Sequence, residues 1–578
     1  MKLLLRLTLV AFTLRAAEVP KTAVRSAGAN FFDDADRGLI GCTADGDNVL
    51  AEKGWAAVRA AGPTHPGFLE GVYTATRIFA VFGKERRVDS IYAEAQALVA
   101  AREFQLLSLR LQYMRADGLV RNQEYVRAES VLREAVATEN RRERKSPLYV
   151  AFLQSLAFVR EQQGDLEEAE ALYRAGLKYP APDLSGVILP AFAFAKLPLP
   201  LVGEPHLSMA AFYSNHGRFQ EAEALYRKQL ANPGLDLERR LSAMRQLVGF
   251  LSAHGSRAEA LAMEEQILAL RQSPPGYEHY NYANLLLSAG RGAEAKTILE
   301  ADLQRSEIEH GKDSPEYREA LGYLFENRRY AGDFVAAEKL ARESVRLAEA
   351  SDAPERNGLA SALFRLSEVR TAQGQVQEAD ALRKRAIELN RASSPPPASV
   401  ARFEEAENLV RAGKHEEAVA MAREIAASAT ASASDDQFGF RHLAQSLAGN
   451  FNADAAQVAS IALVSSQRRH SPDDARLVMD LVDWANFYRG VLLQTDHARE
   501  LLTRAEAIVR ACCGEGSRRM ESILQERGWL AGATGGDAAR IPYLVQLRDL
   551  RVAIYGLHSH QVAASEEELA TARQRTGG

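Results

Sequence analysis

Cysteine is scarce in this sequence, with three residues in 578, at positions 42, 512 and 513. So few cannot make a disulfide framework, and all three read as buried or idle thiols. Aromatic residues supply only 7% of the chain. No stretch alternates β-branched with polar residues, so almost no sheet is expected. Beyond the N-terminus no apolar run approaches eighteen residues, which excludes an integral membrane segment from the mature chain. Neither sign of charge dominates: 71 basic and 76 acidic residues leave a net charge of −5. That balance argues against nucleic acid as a partner.

Catalytic signatures are missing too. There is no phosphate-binding glycine loop and no Gly-x-Ser-x-Gly elbow. His415-Glu416-Glu417-Ala418-Val419 lacks the second histidine of a zinc-protease helix. His558 and His560 have no third ligand near them in sequence. Asp45 and Asp47 fit the first two positions of a calcium loop, but Val49 occupies the next ligand position and no glycine follows. No metal and no cofactor is therefore expected, and no catalytic residue is assigned.

What the chain does have is a recurring phrase. It reads Gly, a polar residue, a few variable positions, then Ala, then an aromatic or Leu. Gly164-Asp165-Leu166-Glu167-Glu168-Ala169 with Tyr173 is one copy, and Gly217 to Ala222 with Tyr226 is another. Further copies begin at Gly255, Gly290, Gly332, Gly374 and Gly413, each with Ala five residues on. Self-similarity at such a period marks a solenoid of stacked helix pairs. Each copy reads as two amphipathic helices about a glycine turn, because glycine takes a left-handed backbone at little cost. Small residues such as Ala157 and Ala169 let the two helices approach. A single hairpin cannot bury both its apolar faces, so it must stack on neighbours.

Leu153, Leu156, Ala157, Ala169, Tyr173 and Gly176 in the Gly164 copy resemble the tetratricopeptide repeat (TPR) family. Arg160 departs from that pattern, which usually has an aromatic there; the Gly217 copy keeps it as Tyr213. Several steps exceed 34 residues and resemble the longer kinesin-light-chain type of repeat. Its Gly-, His- and Pro-bearing linkers have counterparts at 62–66, 310–315, 470–472 and 556–560. Weaker copies surround Gln123 (which stands where glycine is missing), Gly449, Gln494 and Gly535-Gly536-Asp537. The resemblance covers roughly residues 65 to 560, about ten to twelve repeats. It implies an all-α, right-handed superhelical solenoid of antiparallel helix pairs.

The organisation follows. Residues 1–17 read as a signal peptide: Met1-Lys2 supplies charge, Leu3 to Leu14 an apolar stretch broken by Arg6, and Ala16-Ala17 small residues beside Arg15. Residues 18–64 read as a loosely ordered lead-in. Residues 65–392 form a first array, interrupted by a Pro-rich yet apolar insertion at 180–205, expected to pack on its own repeats or to form an exposed docking patch. After the Pro395-Pro396-Pro397 linker the array continues over 398–578. Export points to a periplasmic or secreted protein of bacterial source; a cytoplasmic protein with a short apolar N-terminal helix is the alternative.

Without a catalytic constellation, binding is the function to expect, with a protein or peptide as partner. In the family the first helix of each pair lines a concave groove. Carried over, those positions are Tyr277, Tyr280 and Asn284 in one copy, with Tyr282 assigned to the core. They are Arg110, Tyr113 and Asp117 in another copy, and Glu319, Glu326 and Arg329 in a third. The mixed charges do not reproduce the two-lysine, two-asparagine carboxylate clamp of chaperone-binding members. A non-enzymatic scaffold or adaptor is the leading expectation. A regulator that senses a small ligand or peptide is the second, and an enzyme with a site assembled across repeats the third.

Overall fold

The computed structural model describes residues 44–577, apart from 66, 82–83, 147, 180–203, 255, 272–275, 351–355, 394–397, 429–434 and 470–473. Among the described residues there are 25 α-helices and no strand. In chain order the first are α1 (Ala44–Ala61), α2 (Phe68–Val81), α3 (Glu85–Leu98), α4 (Gln105–Arg121), α5 (Tyr125–Asn140), α6 (Tyr149–Gln162) and α7 (Leu166–Gly176). Then come α8 (Pro205–Asn215), α9 (Phe219–Leu230), α10 (Leu237–His254), α11 (Arg257–Leu270), α12 (Gly276–Ser288) and α13 (Gly292–His310). They are followed by α14 (Pro315–Tyr330), α15 (Phe334–Ala350), α16 (Arg356–Ala372), α17 (Val376–Ser393), α18 (Ala398–Arg411) and α19 (His415–Ser428). The last are α20 (Asp435–Leu447), α21 (Asn452–Arg469), α22 (Leu477–Gly490), α23 (Thr495–Cys512), α24 (Met520–Tyr555) and α25 (His560–Thr576). α24 is two helices broken at Gly536, whose φ is 69°.

The turns between paired helices share one construction. Gly164, Gly217, Gly290, Gly332, Gly374 and Gly413 all have φ between 74° and 83°. The amide after each returns to a carbonyl five residues back, as Asp165 N does to Arg160 O (2.9 Å) and Gln375 N to Arg370 O (2.8 Å). This closes the last turn of the first helix and satisfies its carbonyls. Where glycine is missing, Gln123 (φ 61°) and Leu493 (φ 57°) take the same left-handed conformation. The alanine five residues past each glycine is fully buried in every copy, from Ala169 through Ala222, Ala260, Ala295, Ala337 and Ala379 to Ala418. A side chain this small lets the two helices of a pair approach closely. Gly255 itself lies outside the described residues.

The helices fall into two compact units. One joins the described residues up to Ser208 with those from Ser399 onward; the other is Met209–Ala398. In the first unit a continuous apolar core runs from Leu109 and Tyr113 through Phe152 and Trp484 to Ile554 and Tyr555. The last repeats therefore lie against the early ones. Glu85 accepts from Ser517 Oγ (2.8 Å) and Arg519 Nε (3.2 Å). Arg86 donates to Ala511 O (3.3 Å), and Arg518 to Asn122 O (3.3 Å). The Tyr125 and Tyr555 rings meet at 6.2 Å. A Cβ placed on Gly164 would stand 2.2 Å from His558 O. Three successive inter-helix turns, near residues 85, 123 and 164, thus receive the loops at 511–519 and 556–558. In the second unit the core is instead divided into small clusters, each shared by adjacent helix pairs, as a one-dimensional stack requires.

Two expectations change here. The lead-in expected to be loosely ordered contains α1, and Trp55 is buried with Ala51, Val58, Val72, Phe79 and Ile91. Ala51, Trp55 and Val58 stand at i, i+4 and i+7, which puts them on one helical stripe. Residues 1–43, including the expected signal peptide, lie outside the described residues, as does 180–203 of the insertion. On its far side Gln154 of α6 donates to Ser208 of α8 (3.1 Å). Lastly, Cys512 and Cys513, expected to be thiols, are joined by a disulfide.

Candidate protein-binding face

The first helices of consecutive pairs in the second unit are α10, α12, α14 and α16. On α12, Tyr277, Tyr280 and Asn284 stand at i, i+3 and i+7 and share one face. Tyr277 is 43% exposed, and its hydroxyl donates to Glu278 Oε1 (3.3 Å). Tyr280 stacks on Tyr323 of α14, with ring centroids 4.7 Å apart and planes 19° apart. Asn284 is half-buried, and its Oδ1 is buried with no hydrogen-bond partner. Tyr282 points the other way, buried in the core as expected, and donates to Glu265 (2.6 Å).

Beside this row the polar groups hold one another. Glu278 is 1% exposed and pairs with Arg245 of α10 (2.6 Å) and with Arg271 (3.4 Å). On α14, Tyr323 donates to Glu319 (2.7 Å), and Arg329 pairs with Glu326 (2.7 Å). Burial, reinforced by that bond to Glu319, pushes the Tyr323 hydroxyl up to about 12. Tyr323 therefore stays neutral and remains a donor. Sequence reasoning missed Tyr323 and Arg365; Gly322 stands one residue before Tyr323 and presents no side chain. A Cβ there would lie 3.3 Å from the Arg365 guanidinium, so Gly322 makes room for it.

The N-terminal candidates behave differently. Tyr113 is 6% exposed and packs edge-on against Phe152 of α6 (5.9 Å, 70°), so it belongs to the core and not to an open groove. It is part of the apolar core that continues through Phe152. Arg110 is half-buried, and Asp117 is tied to Arg121 (2.8 Å). Burial raises the Asp117 carboxyl above its ordinary value despite that arginine.

A cavity of about 560 Å³ in the first unit is lined by Arg489, Trp529, Gly532, Gly536, Asp537 and Arg540. Arg489 lies over Trp529 (5.5 Å) and pairs with Glu526 (3.1 Å), while Arg540 pairs with Glu568. Both cations are thus neutralised from within the protein. Among the described residues no three His, Cys, Asp or Glu side chains are grouped to hold a metal, and no helix is long and apolar enough to cross a membrane.

No family model and no curated protein matches the chain. Solved structures do. One holds the nearly identical TPR-like repeats of a kinesin light chain, as it is described, from Podosopora anserina. It is 21% identical and covers 33% of this chain and 96% of that one, with a TM-score of 0.27. BtubC (BKLC) from P. vanneervenii is 16% identical over 46% of this chain and 93% of its own, with a TM-score of 0.26. The Cut9–Hcn1 hetero-tetramer of the APC/C is 13% identical over 98% of both chains, with a TM-score of 0.23. The solved structures it resembles are TPR-like repeat proteins, and the chain itself is an all-α array of helix pairs built on glycine turns and buried alanines.

Proposed function

We propose that this protein is a non-enzymatic scaffold that holds a protein or peptide partner on the first-helix face of residues 209–398. The observation that carries this reading is the row on α12. There an exposed tyrosine, a tyrosine stacked on Tyr323 of α14 and an amide with an unsatisfied buried oxygen share one side of the helix. Tyrosine offers a rigid amphipathic contact, and an asparagine amide matches a peptide backbone. Export to the periplasm or beyond is part of the proposal and rests on the N-terminal sequence.

The test is a pull-down from the host envelope fraction, with the chain from Glu18 as bait. The parallel bait carries Tyr277→Ala, Tyr280→Ala and Asn284→Ala. A partner captured by the first and reduced at least tenfold by the second, with unchanged circular dichroism, supports the reading. A partner retained equally by both baits removes the site from α12. The 560 Å³ cavity motivates the ligand-sensing alternative, but both of its arginines already have carboxylate partners.

A further inference from the structure

Cys512 and Cys513 are consecutive in the chain and bonded to each other. Their disulfide closes an eight-membered ring through the peptide bond between them, so the two side chains are fixed together. The ring sits where α23 ends. Cys513 N and Gly514 N both donate to Val509 O (2.9 Å each), and Gly514 turns the chain with φ 93°. Both cysteines are half-buried, and Cys513 packs against the apolar core.

The segment that carries the ring is also the one that docks on α3. Just before it, Ala511 O accepts from Arg86. Just after it, Gly514 lies under the Arg86 guanidinium, where an added Cβ would be 3.3 Å from Nη2. Ser517 and Arg519 then donate to Glu85. Contacts spanning more than 420 residues of chain therefore flank the two sulfurs on both sides. An arginine that bonds a helix-terminal carbonyl and covers a glycine requires one conformation of residues 511–514. The ring lies within that segment and restricts the torsions of residues 512 and 513.

We propose that Cys512–Cys513 is a redox-active site whose disulfide form locks the 511–519 loop onto Glu85 and Arg86, and whose dithiol form releases it. The co-reactant is a small dithiol. Its thiolate attacks one of the two sulfurs, the S–S bond breaks, and the displaced cysteine thiolate takes a proton. The second thiol of the reductant then attacks the mixed disulfide. Two electrons and two protons pass to the cysteine pair, and the reductant leaves as its own disulfide. A small disulfide reverses the sequence by the same exchange.

The experiment uses the full chain, purified in air and treated or not with dithiothreitol. Alkylation in denaturant followed by peptide mapping reads the state of each cysteine and separates this pair from Cys42. The untreated protein should give a 512–513 peptide that takes no label and is 2 Da lighter than the dithiol (two hydrogens lost). After reduction that peptide should take two labels. Amide hydrogen exchange should then rise about tenfold in 511–519 and in 84–90, with distant α12 unchanged. The Cys512→Ser/Cys513→Ser variant should exchange like the reduced protein and ignore dithiothreitol. Free thiols at both positions in the untreated protein, or equal exchange at 511–519 and 84–90 in the two states, would overturn the proposal. The wild-type comparison needs no mutation, so a variant that folds poorly does not blunt it.

Discussion

At the turns, single backbone conformations decide local stability. A left-handed residue costs glycine little and other residues about 1–2 kcal/mol. Leu493 pays this while 78% exposed, so its side chain recovers little by burial. Leu493→Gly should therefore raise the urea midpoint, by the equivalent of about 0.5–1 kcal/mol after the extra entropy of the unfolded glycine. A lowered midpoint would show that the leucine packs usefully. Glu94 is a second decisive residue. It accepts from Trp55 Nε1 (2.8 Å), Ser90 Oγ (2.8 Å) and Arg87 (2.8 Å), tying α1 to α3. Burial works to raise its pKa, but these bonds outweigh it and hold the carboxyl at about 2. Because the folded value lies below the unfolded one, the stabilisation is complete above the ordinary carboxylate range. It is lost as pH falls toward about 2. Acid titration followed by Trp55 fluorescence should show this loss, and Glu94→Gln should flatten the dependence in that window.

Between elements, a polar clamp recurs in both units. Glu129 of α5 accepts from Arg133 (2.7 Å), from Arg160 (3.2 Å) and from Gln163 (2.9 Å) at the end of α6. Glu338 of α15 accepts from Arg342 (2.8 Å), from Arg370 (2.7 Å) and from Gln373 (3.0 Å) at the end of α16. Each carboxylate stands six residues past one turn residue, Gln123 or Gly332. Each arginine stands four before the next turn, at Gly164 or Gly374. The departure of Arg160 from the repeat pattern is thus a substitution of an aromatic contact by an inter-repeat ion network. The side chain of Arg370 is only 9% exposed and also pairs with Glu378 (3.3 Å), so removing Glu338 leaves a largely desolvated cation with one carboxylate fewer. Glu338→Ala should destabilise by about 1–2 kcal/mol, more than an exposed ion pair would. Hydrogen exchange should localise the loss to α15–α16. A uniform change across residues 209–398, or none, would argue against a local clamp.

On the scale of the first unit, the long-range docking separates two otherwise equivalent glycines. Gly164 and Gly374 have φ of 83° and 77°. Around Gly374 nothing lies within 4 Å of an added Cβ, whereas at Gly164 the Cβ would meet His558 O at 2.2 Å. Gly374→Ala should cost about 1 kcal/mol, from the backbone alone. Gly164→Ala should cost about 1–3 kcal/mol more, as overpacking against backbone does. Equal losses in thermal melts would mean that 556–558 does not dock on the 164 turn in solution.

The sequence by itself determined the element type, the turns and the pairing of helices. Those are local: a glycine that tolerates a left-handed backbone, an alanine five residues on, and apolar residues at helical spacing. The same periodicity made Trp55 part of a helix, although the absence of a glycine–alanine phrase hid that helix. Tyr280 and Tyr282 were legible as opposite faces because they stand on one helix. What only the tertiary structure decided is everything that joins residues far apart in the chain. Tyr113 and Tyr280 occupy comparable repeat positions, yet one is buried against Phe152 while the other stacks on Tyr323 at a helix face. Likewise no local pattern brings Glu85 and Arg86 to the loop that carries Cys512 and Cys513. A repeat specifies contact with its neighbour; which distant turns meet depends on small rotations summed over many repeats, and those are written in no single one of them.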